Sequence, residues 1–392
     1  MNTAQRQILS LLTRQDGASI PQVAEALDIS VGTATKYVAS LLDEAYLEDS
    51  GKAESASGRR PHLYRLRAEA GWFLGIDAND RYLNVGLMDF RGQMHHTHLS
   101  EDFALDEKGA FDRLCDCVRK AVDMAKDSGY AIKTFCIVLP GRVDDRTGDS
   151  YTFFYKPGQA LAARLQELAG IPMCLYNDAR AMTYGELLKG AGVGAKNMLM
   201  INVSWGLGMG IVIDSAIYRG KSGYSGELGH MYGFDNQILC RCGKRGCNET
   251  EISGQALQRH LTERIRAGET SILSKRVLSS DKPLLMSEIK DAVAREDVLC
   301  IEALQQIGLL LGEKTAGLIN VFNPELVVLG GELAAAAGEF ILDPMRMAVN
   351  KHAVQLVSRE TEIRRGALGI DAGVVGACLI ARSRFIGEKF ER

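Results

Sequence analysis

No stretch of this 392-residue chain is apolar over the length needed to cross a bilayer. The longest apolar run, Met198 to Ile213, is broken by Asn202, Ser204 and a series of glycines, which excludes a membrane-spanning helix. No secretion signal opens the sequence, so its nine cysteines point to a reducing cytosol and not to a disulfide framework. Six of them (Cys115, Cys117, Cys136, Cys174, Cys300 and Cys378) sit in apolar surroundings and read as buried thiols. An excess of charge of one sign is missing too. With 46 Lys and Arg against 49 Asp and Glu, the net charge is -3, so any nucleic-acid surface must be local. What is present is 46% hydrophobic residues, enough for two or three domains with sizeable cores.

The remaining three cysteines form a pattern. After Gly226-Glu-Leu-Gly-His230 comes Cys240-Arg-Cys242-Gly-Lys-Arg-Gly-Cys247-Asn-Glu249. His230 with Cys240, Cys242 and Cys247 makes a Cys₃His set, and the glycines let the backbone wrap closely around one ion. Four such ligands are what a closed tetrahedral Zn²⁺ site requires, and no position is left for water, so the zinc reads as structural. It would hold Glu227, His230 and Glu249 near one another. The plainer alternative, three reduced cysteines in a turn, leaves the glycine spacing without a use.

Residues 1 to about 70 read as a helical unit that binds DNA. Gln5–Arg14 carries an apolar helical stripe at Ile8, Leu9, Leu11 and Leu12. Ser19 caps a second helix with Pro21 in its first turn and Val23, Ala24 and Leu27 on its apolar face. Asp28-Ile29-Ser30 makes the turn, and Ser30 caps a third helix running through Leu42. That helix is expected to bury Val31, Ala34, Val38, Leu41 and Leu42, and to offer Ser30, Thr33, Thr35, Lys36 and Tyr37 to a major groove. Two strands around a polar tip then make a wing. From Lys52 to Arg67 there are five basic residues against Glu54 alone, and Arg59 and Arg60 suit phosphates or a narrow minor groove. A protein-docking module with a solvated loop is the competing reading.

From Gly71 strands and helices alternate. Trp72–Asp77 with Leu83–Asp89, and Met198–Val203 with Gly210–Ile213, read as hairpins; Phe135–Leu139 and Leu326–Leu329 read as strands that end in glycine turns. The expectation is a two-lobed α/β protein with a cleft.

The G-E-x-G-H and C-x-C-G-x-x-G-C-x-E segments, the latter continuing to Ser253, resemble the signature of the ROK family of repressors, open reading frames and sugar kinases. The resemblance covers roughly Leu74 to Ala381, and the segment before it is similar to the DNA-binding part of the repressor branch. It implies an actin-like (sugar kinase/RNase H-like) two-lobed domain preceded by an α+β winged helix-turn-helix. The implied division is 1–70, then 71–185 with about 375–392, then 186–374. Kinases of the family hold ATP at an Asp-x-Gly-Gly-Thr turn. Here the matching residues are Asp77-Ala78-Asn79-Asp80-Arg81, so the glycines are gone and a carboxylate faces the phosphates. A later turn, Ser204-Trp205-Gly206-Leu207-Gly208-Met209-Gly210, is kept in part.

The sugar side is in better order. Asn177-Asp178 matches the family's Asn-Asp pair, whose aspartate is the kinases' general base and would be vestigial here. With Gly141, Glu227, His230 and Glu249 these residues supply polar groups for a monosaccharide. An N-cap role for Asn177-Asp178 ahead of the following helix is chemically reasonable and compatible with ligand binding, which is the stronger reading. His230 fits both zinc and sugar, one ring nitrogen for each.

The leading expectation is a cytosolic sugar-responsive repressor, not an enzyme. It would act as a homodimer or homotetramer on inverted-repeat operator DNA, with a monosaccharide or sugar phosphate as effector. An ATP-dependent sugar kinase with an accessory module is the alternative, and a regulator controlled by a protein partner a third.

Overall fold

The computed structural model describes residues 1–52, 61–100 and 103–392, so Arg59 and Arg60 lie outside the described residues. Contacts divide the chain into two units, Met1–Ala181 with Val374–Phe390, and Met182–Gly373 with Glu391–Arg392.

The first unit opens with α1 (Thr3–Thr13), α2 (Ile20–Leu27) and α3 (Val31–Asp43). Local chemistry sets their starts. Asn2 with Gln5 and Ser19 with Gln22 form reciprocal capping boxes, and the Ser30 side chain accepts the Thr33 N–H. Ile8, Leu9, Val23, Ala24, Ala34, Val38 and Leu41 are buried together. Val31 is not: it is 55% exposed, and Leu42 is half-buried. Val31 shares the 3.6-residue stripe of Ala34 and Val38, but it occupies the first turn of α3 and stays in solvent. The strands β1 (Leu47–Lys52) and β2 (His62–Leu66) pair antiparallel, Leu47 opposite Leu66.

This segment is fastened to the sheet that follows. Tyr46 packs on Phe90 and Phe385, ring centroids 5.6 and 6.3 Å away. Arg91 donates to the Leu66 carbonyl at 2.6 Å and pairs with Glu48, and Arg14 pairs with Glu388 at 3.0 Å.

The sheet is built from β3 (Trp72–Ala78), β4 (Leu83–Asp89), β5 (Met94–Ser100), β6 (Ile132–Leu139) and, after the short ribbon β7 (Val143–Asp144) and β8 (Asp149–Ser150), β9 (Met173–Asn177). Its order is β5-β4-β3-β6-β9, with α4 (Ala110–Asp127) and α5 (Leu161–Ala169) covering the face that holds Leu74, Ile76, Phe135 and Ile137. The inner strands are buried nearly throughout, as parallel strands covered on both faces require. β5 is largely exposed.

The helix α6 (Asp178–Lys189) leads to the second sheet, made of β10 (Met198–Val203), β11 (Leu207–Ile213), β12 (Ala216–Ile217), β13 (Leu326–Gly330) and β14 (Glu362–Arg365). Its order β12-β11-β10-β13-β14 repeats the first: two antiparallel pairings on one side of the initial strand and two parallel ones on the other. The helices are α7 (Gly254–Arg266), α8 (Ser274–Leu278), α9 (Met286–Ala294), α10 (Val298–Phe322), α11 (Glu332–His352) and α12 (Gln355–Ser358), before α13 (Ala372–Ile386). Trp205, Leu257, Ile307 and Ile341 belong to this unit's core. The duplicated five-stranded topology is the two-part α/β architecture expected from the alternation of strands and helices. Cys115, Cys136, Cys300 and Cys378 are buried, whereas Cys117, packed at the margin of the first unit's core, and Cys174, on the edge strand β9, are half-buried. No helix of the described residues is long and apolar enough to cross a membrane.

Candidate functional site

In the second unit the residues of the Cys₃His set come together. The ligand atoms of His230, Cys240, Cys242 and Cys247 all lie within 4.8 Å of one another. Two short 3₁₀ turns, Leu228–His230 and Asn248–Thr250, bracket the loop, and the Tyr232–Cys247 bridge draws its ends together. Gly246 has φ +73°, and a Cβ there would stand 2.3 Å from the Phe234 carbonyl, so only glycine lets the loop close. The spacing suits a metal. Bonds of about 2.3 Å to sulfur and about 2.0 Å to nitrogen at tetrahedral angles place ligand atoms roughly 3.5–3.8 Å apart. Here Cys242 and Cys247 are 3.6 Å apart and Cys240 lies 3.5 Å from His230 Nδ1. Burial pushes the Cys240 thiol up to about 12 and raises Cys247. Burial also raises Cys242, but the Lys244 N–H and the two neighbouring thiols outweigh it and hold Cys242 below its usual range. Three thiols this close ionise together only against a cation.

The other nitrogen of His230 faces Glu227 at 3.9 Å, so the imidazole has one edge on the cysteines and one on a carboxylate. Glu249 also reaches the cluster. Its Oε2 accepts the Leu207 N–H at 3.1 Å and its Oε1 lies 3.8 Å from Cys240 Sγ, tying the cysteine loop to the turn between β10 and β11.

In the first unit Asn177 ends β9 and Asp178 begins α6. The Asn177 amide donates to Asp178 Oδ1 at 2.9 Å and to the Gly141 carbonyl at 3.2 Å, while its oxygen accepts the Arg180 N–H at 3.1 Å. Asn177 therefore does cap the helix, and that cap also fixes it beside Gly141. Gly141 has φ +81°, and a Cβ would meet Thr152 Oγ1 at 2.5 Å.

The turn after β3 is filled by its own side chains. Asp77 is 1% exposed, and its Oδ2 accepts from the Tyr82 hydroxyl at 3.1 Å. That hydroxyl in turn accepts from the Asn79 amide at 3.2 Å, and Asp80 N–H donates to Asn79 Oδ1 at 2.7 Å. Backbone amides that would face a phosphate over glycines are here covered. Reading the sequence for missing glycines does not reveal Tyr82; only its place five residues after Asp77 on a tight turn hints at it. In the second glycine-rich turn Trp205 is buried in the core, and Ser204 Oγ accepts the Glu332 N–H at 3.0 Å.

On the first helices, Ser30 and Thr33 engage each other, their hydroxyls 2.8 Å apart, and the Thr35 hydroxyl donates to the Val31 carbonyl. Thr35 and Lys36 are exposed, Thr33 and Tyr37 half-buried, and Lys36 forms no ion pair among the described residues. On the wing, Arg65 is consumed by Glu48 at 2.8 Å and Arg67 lies 3.6 Å from Glu69, so the basic cluster from Lys52 to Arg67 is smaller than its composition suggests.

A family model described as the ROK family matches residues 73–384, and one for winged helix-turn-helix DNA-binding matches residues 1–47. The xylose repressor of Bacillus subtilis is 27% identical over 390 residues, 97% of this chain and 95% of the repressor. The glucokinase of Halalkalibacterium halodurans is 36% identical over 318 residues, 78% of this chain and 93% of the kinase. A crystal structure of a ROK family transcriptional regulator, a homologue of the E. coli Mlc protein, superposes with a TM-score of 0.80 at 24% identity over 98% of this chain and 96% of that one. The two share a fold.

Proposed function

The chain belongs to the ROK family, and from that premise we propose that it is a sugar-responsive transcriptional repressor and not an enzyme. The observation that carries the reading is a pairing: a winged helix-turn-helix at residues 1–47, and a phosphate turn occupied by Tyr82 and Asn79. A kinase needs the second free and has no use for the first. Likeness over nearly the full length to a xylose repressor supports the same assignment.

We assign DNA contact to Ser30, Thr33, Thr35, Lys36 and Tyr37 on α3 and to Arg59 and Arg60, with the exposed Val31 able to meet a thymine methyl. A single helix-turn-helix reads few base pairs, so the working species is a homodimer or homotetramer on an inverted repeat. Sugar recognition is assigned to Gly141, Asn177 and Asp178 in the first unit and to Glu227, His230 and Glu249 in the second. The effector is a monosaccharide or its phosphate, and the setting is cytosolic, where the thiols stay reduced. His230, Cys240, Cys242 and Cys247 would hold one Zn²⁺, whose contribution is cohesion of the loop that carries His230 and Glu249.

Fluorescence anisotropy with operator DNA, repeated against a monosaccharide panel, tests the reading. One sugar is expected to release the DNA, and its effect to vanish in Asp178→Asn. ATP turnover stimulated by that sugar, and abolished by the same substitution, would establish the kinase in its place.

A further inference from the structure

A pocket in the first unit lies apart from every residue assigned above. In the first unit, the face of the sheet that looks toward α4 is only partly covered, which leaves an open pocket of about 690 Å³. Register explains its apolar floor. Leu74 stands opposite Leu87, and Ile76 opposite Val85, and β5 continues these two rows with His96 and His98. The helix presents two stripes. Leu114, Val118, Val122 and Ala125 are buried in the core, while Cys117, Ala121 and Met124 on the neighbouring stripe line the pocket. Burial pushes the Cys117 thiol up, so that side chain stays neutral. Tyr130, its ring 4.1 Å from that of Trp72, closes one end, and Arg113, over the Phe103 ring, closes the other. From Arg113 to Met124 the helix runs about 16 Å at 1.5 Å per residue.

The mouth is different in kind. Lys120 forms no ion pair among the described residues, and His96 and His98 have no carboxylate partner there. Their neighbours are engaged: His95 with Asp89 at 2.8 Å, and Asp116 with Arg119 at 2.8 Å. An apolar slot long enough for about eight to ten carbons has at its edge a lysine with no ion pair among the described residues, two imidazoles and Asp116, which Arg119 holds; it is complementary to one class of ligand. It does not suit a bare monosaccharide, which needs paired polar groups along its whole length.

We propose that this pocket binds an amphipathic carboxylate, its tail along Leu74, Leu87 and Ala121 and its head at Lys120, His96 and His98. The site is independent of the sugar and DNA assignments, and so is its test.

Titration calorimetry of the full-length protein with hexanoate, octanoate and decanoate, each below its micelle concentration, should give one site per chain. Affinity should rise about two- to fourfold per added methylene, and octanoate should bind about tenfold more tightly than 1-octanol. Ala121→Trp, which fills the slot, should weaken decanoate more than tenfold. Lys120→Glu, at an exposed position that the fold does not need, should abolish the preference for octanoate over octanol, and it decides the matter if melting curves show that Ala121→Trp does not fold. No saturable binding of decanoate, affinity independent of chain length, or an unchanged octanoate preference in Lys120→Glu would each overturn the proposal.

Discussion

Replacing Tyr82 by phenylalanine removes one oxygen and tests whether the turn after β3 is a filled structure or a vacant cradle. The hydroxyl donates to the carboxylate of Asp77, which is 1% exposed, and accepts from the Asn79 amide. Losing a hydrogen bond to a buried charged acceptor costs about 1.5–3 kcal/mol, and leaving the Asn79 amide unmatched adds up to about 1 kcal/mol. Together these give an expected loss of about 1.5–4 kcal/mol. The first unit holds about 200 residues, and a domain of that size melts roughly 2–4 °C lower per kcal/mol. Scanning calorimetry should therefore record a fall of about 3–16 °C in the transition of the first unit. A double-mutant cycle with Asp77→Asn isolates the pair, with a coupling of at least about 1 kcal/mol expected. Neither variant should gain ATP turnover, since Asp80 and the absent glycines remain. A Tyr82→Phe melt within about 1 °C of the parent, or a coupling near zero, refutes the reasoning, because the hydroxyl would then not be holding the carboxylate.

Cys247→Ser should lose bound metal and stability together, read by elemental analysis and melting on the same sample; a folded parent protein that carries no metal as purified removes the zinc assignment. Gly141→Ala places a Cβ 2.5 Å from Thr152 Oγ1 at φ +81°, so it should cost about 1–3 kcal/mol and blunt the sugar response while operator affinity without sugar stays within about twofold. Arg59→Ala with Arg60→Ala should weaken operator binding by about 2–4 kcal/mol and flatten its dependence on salt by about two counterions. A salt titration that overlays the parent's would leave DNA reading to α3 alone.

Sequence was most informative where the chemistry is local. Ser19 and Ser30 announce the starts of α2 and α3 because a cap needs only the next three residues. The Cys₃His set was legible because its four ligands fall within eighteen residues and the glycines between them serve closure. The strand β5 was hidden, since His95-His96-Thr97-His98 at a sheet edge shows no apolar alternation to read. Val31 is exposed against expectation because helical periodicity specifies which face a residue occupies but not whether a neighbour reaches that end of the helix. Glu249 reads in sequence as a polar group for a ligand, yet one of its oxygens is already spent on the Leu207 N–H, a bond across 42 positions that spacing cannot foretell. Asn177 shows two roles merging: the cap on Arg180 N–H is also what steadies the amide beside Gly141.

The ring of Tyr46 rests between Phe90 and Phe385, residues 44 and 339 positions further along the chain. A recognition head cut away at residue 66 would carry Tyr46 into water and leave two phenylalanines bare on the body it came from. Anyone exchanging such heads between regulators, to couple one sensor to another's promoter, would have to transplant the aromatic socket as well. Head and socket form one transferable part, although the sequence writes half of the socket at its far end.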